Sequence, residues 1–221
     1  MTPGGGGLDG GGVGGAGGLD PHAIDSLAAL RARYREPHPL VLRKQLDALD
    51  GHCRRFVARS PLVFVATAGA DGRCDVSPRG DGPGFVRVLD DHRLALPDRK
   101  GNDRLDGLRN VLENPHAGLL FVVPGCDDTL RVNGRAAITA DPQLLASMAV
   151  GGREPRSALV VTAEEVFLHC GRAFKRGRVW DPESFAVRGE LPTLGAMLRD
   201  QTAPDAAERR LLADSETAEL Y

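Results

Sequence analysis

Lysine is nearly absent from this chain. Lys44, Lys100 and Lys175 are the only three among 28 cationic residues, and the other 25 are Arg. Anion recognition must therefore rely mainly on guanidinium forks. Charge of one sign is not in excess either: 28 Lys and Arg face 30 Asp and Glu, for a net charge of −2. That balance argues against a dedicated binder of nucleic acid or another polyanion. Long apolar runs are missing, and none approaches the roughly 18–20 residues that span a bilayer. The start of the chain has neither the basic nor the apolar segment of a secretory signal. The four cysteines, Cys53, Cys74, Cys126 and Cys170, form no C-x-x-C pair. They read as reduced, mostly buried thiols, and neither a disulfide frame nor a zinc site is expected. His52, His92, His116 and His169 show no metal-ligand spacing. The expectation is a cytoplasmic protein with no membrane, nucleic-acid or metal partner.

Glycine is plentiful but concentrated. Eleven of 28 fall between positions 4 and 18. With almost no side chains to bury, residues 1–19 read as a disordered tail. Residues 20–60 read as a helical extension. One helix is expected from the Asp20 cap and Pro21 to about Pro37. A second carries Leu42, Leu46, Leu49, Cys53 and Phe56 at helical spacing and stops at Ser60-Pro61.

From 61 to 185 the character is that of short strands. "LVFVATA", an Asp-Gly turn and "CDVSPR" make a hairpin. "FVRVL" and "RLALP" follow. A helix over 103–114 places Leu105, Leu108, Val111 and Leu112 inward. "AGLLFVVPG", "TLRVNGRAAIT" and "SALVVTAEEVFLHC" are further strands, with a short helix from Pro142 to Met148. Hairpin-linked strands at this spacing predict an antiparallel barrel. Residues 186–221 read as a helical and polar extension.

Basic clusters lie at the strand ends: "SPRGD" from Ser77, "LPDRKGNDR" from Leu96, "LRVNGR" from Leu130, and Arg172, Lys175, Arg176 and Arg178 leading to Trp180. The second cluster joins a strand to a helix start. Free amide N–H groups and the positive end of the helix dipole there suit a phosphate. Arg99 can offer a bidentate fork, and Gly101 lets the backbone come close. The same residues also fit a solvated loop in which Asn102 or Asp103 caps the helix. No side chain stands out as a catalytic acid, base or nucleophile. His169 reads as a partly buried histidine.

The strings "DVSPRGD", "LALPDRKGNDRLDGLRNVLENPHAGLLFVVPG", "TLRVNGRA" and "HCGRAFKRGRVWDP" together resemble the FMN-binding split-barrel family related to pyridoxamine 5′-phosphate oxidase, in an uncharacterised actinobacterial-type subgroup. The resemblance covers roughly residues 40–185. It implies a mainly β protein with flanking helices, built on a six-stranded antiparallel split β-barrel. It also implies a homodimer with FMN at the subunit interface, acting as an oxidoreductase on a small molecule. Carried over, Ser77, Arg79 and Gly80 match the strand along the flavin and ribityl chain. Arg99, Lys100, Asn102 and Arg104 match the phosphate loop. Thr129 and Arg131 match a strand that approaches the flavin, often from the partner. Lys175, Arg178 and Trp180 match the segment near the flavin edge. The chain departs from the oxidase proper in its first flavin strand and beyond Trp180, so oxidation of pyridoxamine phosphate itself is not implied. A flavin carrier or sensor, or a barrel holding haem or a deazaflavin, are the alternatives.

Overall fold

The computed structural model describes residues 20, 22–187 and 189–210. The Gly-rich stretch 1–19 and residues 211–221 lie outside them. The chain forms two compact units, 1–39 and 40–221. In the first, the expected long helix shrinks to α1 (Leu27–Arg31), capped by Ser26, whose Oγ accepts from the Ala29 N–H. Asp20 instead accepts from His22 in a local turn. Helix α1 buries no residue. Without a packed face, so short a helix has little to extend it.

The second expected helix is broken in two. A single turn, α2 (Pro39–Arg43), is followed by an extended crossing at which Leu46 exchanges both backbone hydrogen bonds with Val166, at 2.9 and 2.8 Å. A new helix, α3 (Gly51–Arg59), then starts under an Asp50 cap that accepts from the His52 and Cys53 N–H groups. The apolar spacing was continuous, but Asp50 offers a better helix start than continuation through it. Cys53 and Val57 of α3 enter the core. Burial, and then Asp50, push the Cys53 thiol up to about 11. Cys74 and Cys170 are exposed, contrary to the expected burial of most of the thiols, and all four cysteines are free.

Seven strands form one sheet: β1 (Leu62–Ala68), β2 (Cys74–Gly80), β3 (Arg87–Val88), β4 (Arg93–Pro97), β5 (His116–Val122), β6 (Thr129–Thr139) and β7 (Ala158–His169). The order is β2-β1-β5-β6-β7-β4-β3, with every pair antiparallel. The sheet thus has seven strands where six were expected, because the two-residue β3 pairs on the edge. "FVRVL" pairs only there, since Phe85 and Val86 are drawn into the core instead. Helix α4 (Asp106–Glu113) lies between β4 and β5, and α5 (Pro142–Ser147) between β6 and β7. After β7 come α6 (Arg172–Arg176), a 3₁₀ turn (Pro182–Ser184) and α7 (Leu194–Thr202).

The sheet curls on itself. Val63 and Val65 of β1 share one buried cluster with Leu94 and Leu96 of β4, four places away in strand order. Near the open seam, Arg79 of β2 meets Asp98, just past β4, at 3.1 Å. Helix α4 packs on β1, β2 and β6. It starts at Asp106, so Val111 is buried while Leu112 is 76% exposed and Leu105 is 48% exposed. Both leucines were expected inward. The inner face is partly polar instead, with Asn110 Nδ2 donating to the buried Thr67 Oγ1 at 3.1 Å.

Strand β6 shifts register against β7 between Asn133 and Gly134. A β-carbon at Gly134 would overlap the Thr162 carbonyl oxygen. Gly134→Ala should therefore cost about 3 kcal/mol or more in chemical denaturation, through overpacking against backbone that cannot yield.

Candidate functional site

The eight residues 98–105 carry the chain from β4 to α4. Asp98 anchors the start: its N–H donates to Ser157 O at 2.9 Å and its carboxylate holds Arg79. Arg99 turns inward. Its Nε donates to Asp81 Oδ2 at 2.7 Å and its Nη1 to Met148 O at 2.8 Å. The two side chains are 18% and 5% exposed. Arg99, the expected phosphate fork, is therefore engaged in tying the end of β2 to the segment after α5.

The rest of the loop is strained. Asp103 and Leu105 have φ of 55° and 62°. Left-handed backbone costs a non-glycine residue roughly 1–2 kcal/mol. Asn102 Oδ1 accepts from the Arg104 N–H at 3.2 Å, Arg104 pairs with Asp106, and Asp103 pairs with Arg156 at 3.2 Å. Neither Asn102 nor Asp103 caps α4. Leu105 occupies the cap position and supplies no side-chain acceptor. The first-turn amides of α4 thus lack a side-chain partner, which leaves donors for an anion.

Two cavities meet at this loop. The smaller, about 210 Å³, is bounded by Ser77 and Arg79 of β2, by Gly101, Asn102 and Arg104, and by the start of α4. Ser77 and Arg79 reach it because they lie opposite the inward-facing Val65 and Val63 of β1. Asp75, Asp98, Asp103 and Asp106 also line it. The larger, about 600 Å³, lies against Lys100, Leu105 and Leu108 and the segment Arg153–Ser157. Arg99 and Asp103 border both. Gly80 of the expected set lies beyond them, at the end of β2 and close to Pro61 O.

The remaining expected residues lie elsewhere. Thr129 opens β6 opposite His169, whereas Thr139 pairs with Ala158 and Ala158 with Pro97. Ten residues of β6, ~30 Å of extended chain, separate Thr129 from the strand end next to the loop. Thr129 is buried. Arg131 pairs with Glu165 at 2.5 Å and lies over the Phe167 ring at 4.1 Å, and its Nε is buried without a hydrogen-bond partner. Trp180 Nε1 donates to Cys126 O at 2.9 Å, Lys175 lies 3.9 Å from Asp127, and Arg178 pairs with Asp181 and Glu183. One chain therefore assembles Ser77, Arg79, Arg99, Lys100, Asn102 and Arg104, and sets Thr129, Arg131, Lys175, Arg178 and Trp180 apart.

Asp81, Asp98, Arg153 and Arg156 were not singled out from the sequence. The Gly-Gly turn before "REPRS" was the available signal for the last two. No group of His, Cys, Asp and Glu among the described residues could hold a metal, and no helix among them is long and apolar enough to cross a membrane.

A family model described as Pyridoxamine 5′-phosphate oxidase matches residues 49–170. The comparison with curated proteins finds no match. Among solved structures, a putative pyridoxamine 5′-phosphate oxidase from Lactobacillus delbrueckii is 23% identical over 56% of this chain and 98% of its own, with a TM-score of 0.43. HupZ from Group A Streptococcus is 20% identical over 54% and 92%, with a TM-score of 0.43. HutZ, the heme storage protein from Vibrio cholerae, is 16% identical over 55% and 93%, with a TM-score of 0.41.

Two outcomes follow from this geometry. Arg99→Ala removes the guanidinium from the buried Asp81 and should lower stability by about 2–3 kcal/mol in urea denaturation. Unchanged stability would contradict the structural task of this pair. For His169, burial, then Arg131, then Lys44 hold the ring pKa below its usual value. The folded state therefore binds the proton less readily than the unfolded chain. Stability should fall as pH drops from the ordinary histidine range toward the lowered value. An NMR titration of the ring, with denaturation across that window, checks both parts.

Proposed function

We propose that this chain, which belongs to the pyridoxamine 5′-phosphate oxidase family, binds FMN and acts as a flavin-dependent oxidoreductase on a small organic substrate. The observation that carries the reading is the uncapped first turn of α4, opening onto Ser77, Arg79 and Arg104 in the smaller cavity. Amide N–H groups at a helix start and arginine donors beside them are what a phosphate needs. Arg79 and Arg104 each face a carboxylate, Asp98 and Asp106. A guanidinium has five N–H donors, so both retain donors for a phosphate. At Gly101 a β-carbon would meet only Arg99 O, at 3.9 Å, so the space beside it is open to a ligand. Asn102 braces the turn.

FMN supplies the hydride or electron exchange when bound. The protein's part is to hold the phosphate at α4 and to keep the apolar slot of Val65, Leu96, Leu108 and Leu159 beside Ser77 and Arg79.

The reading includes a homodimer. The outward face of the sheet carries an in-register row, Pro78–Phe64–Leu120–Arg131–Phe167, across β2, β1, β5, β6 and β7. Phe64 is 36% exposed, and Val76, beside the row, is 62% exposed. Apolar surface of this kind favours a protein partner. A second copy placed there would bring Arg131, Lys175, Arg178 and Trp180 toward the flavin, which one chain does not do alone, with the buried Thr129 supporting that end of β6.

Reconstitution with FMN, followed by flavin fluorescence, tests the reading. The protein should bind FMN, and Arg104→Ala should weaken it about tenfold or more, since a charge-assisted hydrogen bond contributes about 1.5–3 kcal/mol. Bleaching of the bound flavin by NADH or NADPH separates an enzyme from a carrier. Failure to bind FMN overturns the cofactor, and a Soret band or deazaflavin binding would replace it. In sedimentation, Phe64→Glu should convert a dimer to a monomer. An unchanged sedimentation coefficient would remove the proposed interface.

A further inference from the structure

Loop 98–105 does not present all its cations to one place. Gly101, Asn102 and Arg104 border the smaller cavity and not the larger, whereas Lys100 borders the larger and not the smaller. Lys100 is exposed and makes no ion pair among the described residues. Across the same space stand Arg153 and Arg156, from the turn that leads into β7. That turn is shaped for the position: Gly151 and Gly152 have φ of 57° and 76°, and Val150 and Arg153 bridge each other. Apolar lining comes from Leu105 and Leu108 on the α4 side and from Pro155 between the two arginines, and Asp98, Asp103 and Glu154 also border the space. At about 600 Å³ the space falls within the range of small-molecule sites, while the 210 Å³ neighbour falls below it.

We propose that the larger cavity is a second binding compartment, for a small organic anion with an apolar body and a phosphate or carboxylate end. Lys100 meets the anion, together with the arginine side of the cavity, and Leu105, Leu108 and Pro155 hold the body. Lys100 thereby leaves the flavin phosphate set and becomes a specificity residue for the second ligand. That the compartment serves as the substrate side rests on the FMN reading; that it binds an anion does not.

The left-handed Asp103 and Leu105 give this division a physical cause. This backbone lets Asp103 and Leu105 border both cavities on the way into α4, and the Asp103–Arg156 pair links the loop to the far wall. Strained backbone of this kind persists where the surroundings hold it, commonly at ligand sites.

The probes are phenyl phosphate, benzoate and phenol, titrated by NMR into the full chain with and without FMN. Phenyl phosphate or benzoate should bind at least tenfold more tightly than phenol, and which of the two binds tighter identifies the anionic group. Lys100→Ala should weaken the anionic probe five- to tenfold, leave phenol unchanged, and alter FMN affinity less than twofold. Arg104→Ala should do the reverse. Displacement of FMN by phenyl phosphate, or a tenfold loss of FMN affinity in Lys100→Ala, would show a single shared site and overturn the second compartment while leaving the FMN reading intact. Equal binding of phenol and the anions would overturn the anionic selectivity. If FMN fails to bind but the anion binds through Lys100 in the FMN-free chain, the flavin reading falls and the anion site stands.

Discussion

Asp81 sits at the end of β2, where almost no water reaches it, and Arg99 brings its charge there from the end of β4. These strands stand at and near opposite edges of the sheet. A carboxylate at that depth is tolerated only with a partner, so the seam of the curled sheet is held where the loop to α4 begins. The same guanidinium reaches Met148 O, and Arg79–Asp98 repeats the link one step along. Both cavities are shaped by this joint. The loop from Lys100 to Leu105 starts from where Asp98 and Arg99 are fixed.

The joint also accounts for the strain beyond it. A loop pinned at Asp98 and Arg99 must still deliver α4 onto β1 and β6. It does so through left-handed backbone at Asp103 and Leu105. The result is a helix start without a side-chain cap, beside arginines that carboxylates hold in place. Position and charge are thus supplied by separate residues: the aspartates orient, and the amides and remaining guanidinium donors face the cavity.

Much of the fold was legible. Each hairpin and the short helix before β7 follow from apolar alternation, turn residues and proline. The failures have physical causes. The apolar spacing from Leu42 to Phe56 is that of one helix, but Asp50 caps a new one and Leu46 bridges to Val166. Leu112 fits the apolar stripe of α4 but points outward, because Asn110 and Thr67 occupy the inner side. Of the candidate site, the loop itself was legible from its Arg, Lys, Gly and Asn content at a strand–helix junction. The engagement of Arg99 by Asp81 was not, since the partners are 18 positions apart and nothing local marks them.

The sequence by itself determined that 25 of the 28 cations are arginines, that hairpin-linked strands fill the middle of the chain, and that a basic loop opens the helix after "RLALP". Those are properties of composition, spacing and local turn chemistry. Tertiary structure alone decided which cations are available. It tied Arg99 to Asp81 and gave Lys100 to a different cavity from Arg104. It placed Thr129 and Arg131 ten and eight strand residues from the end of β6 next to the loop, with Trp180 held on Cys126. The reason is that availability depends on burial and on partners contributed by distant segments. Those are settled only when the sheet curls and its seam closes on an ion pair.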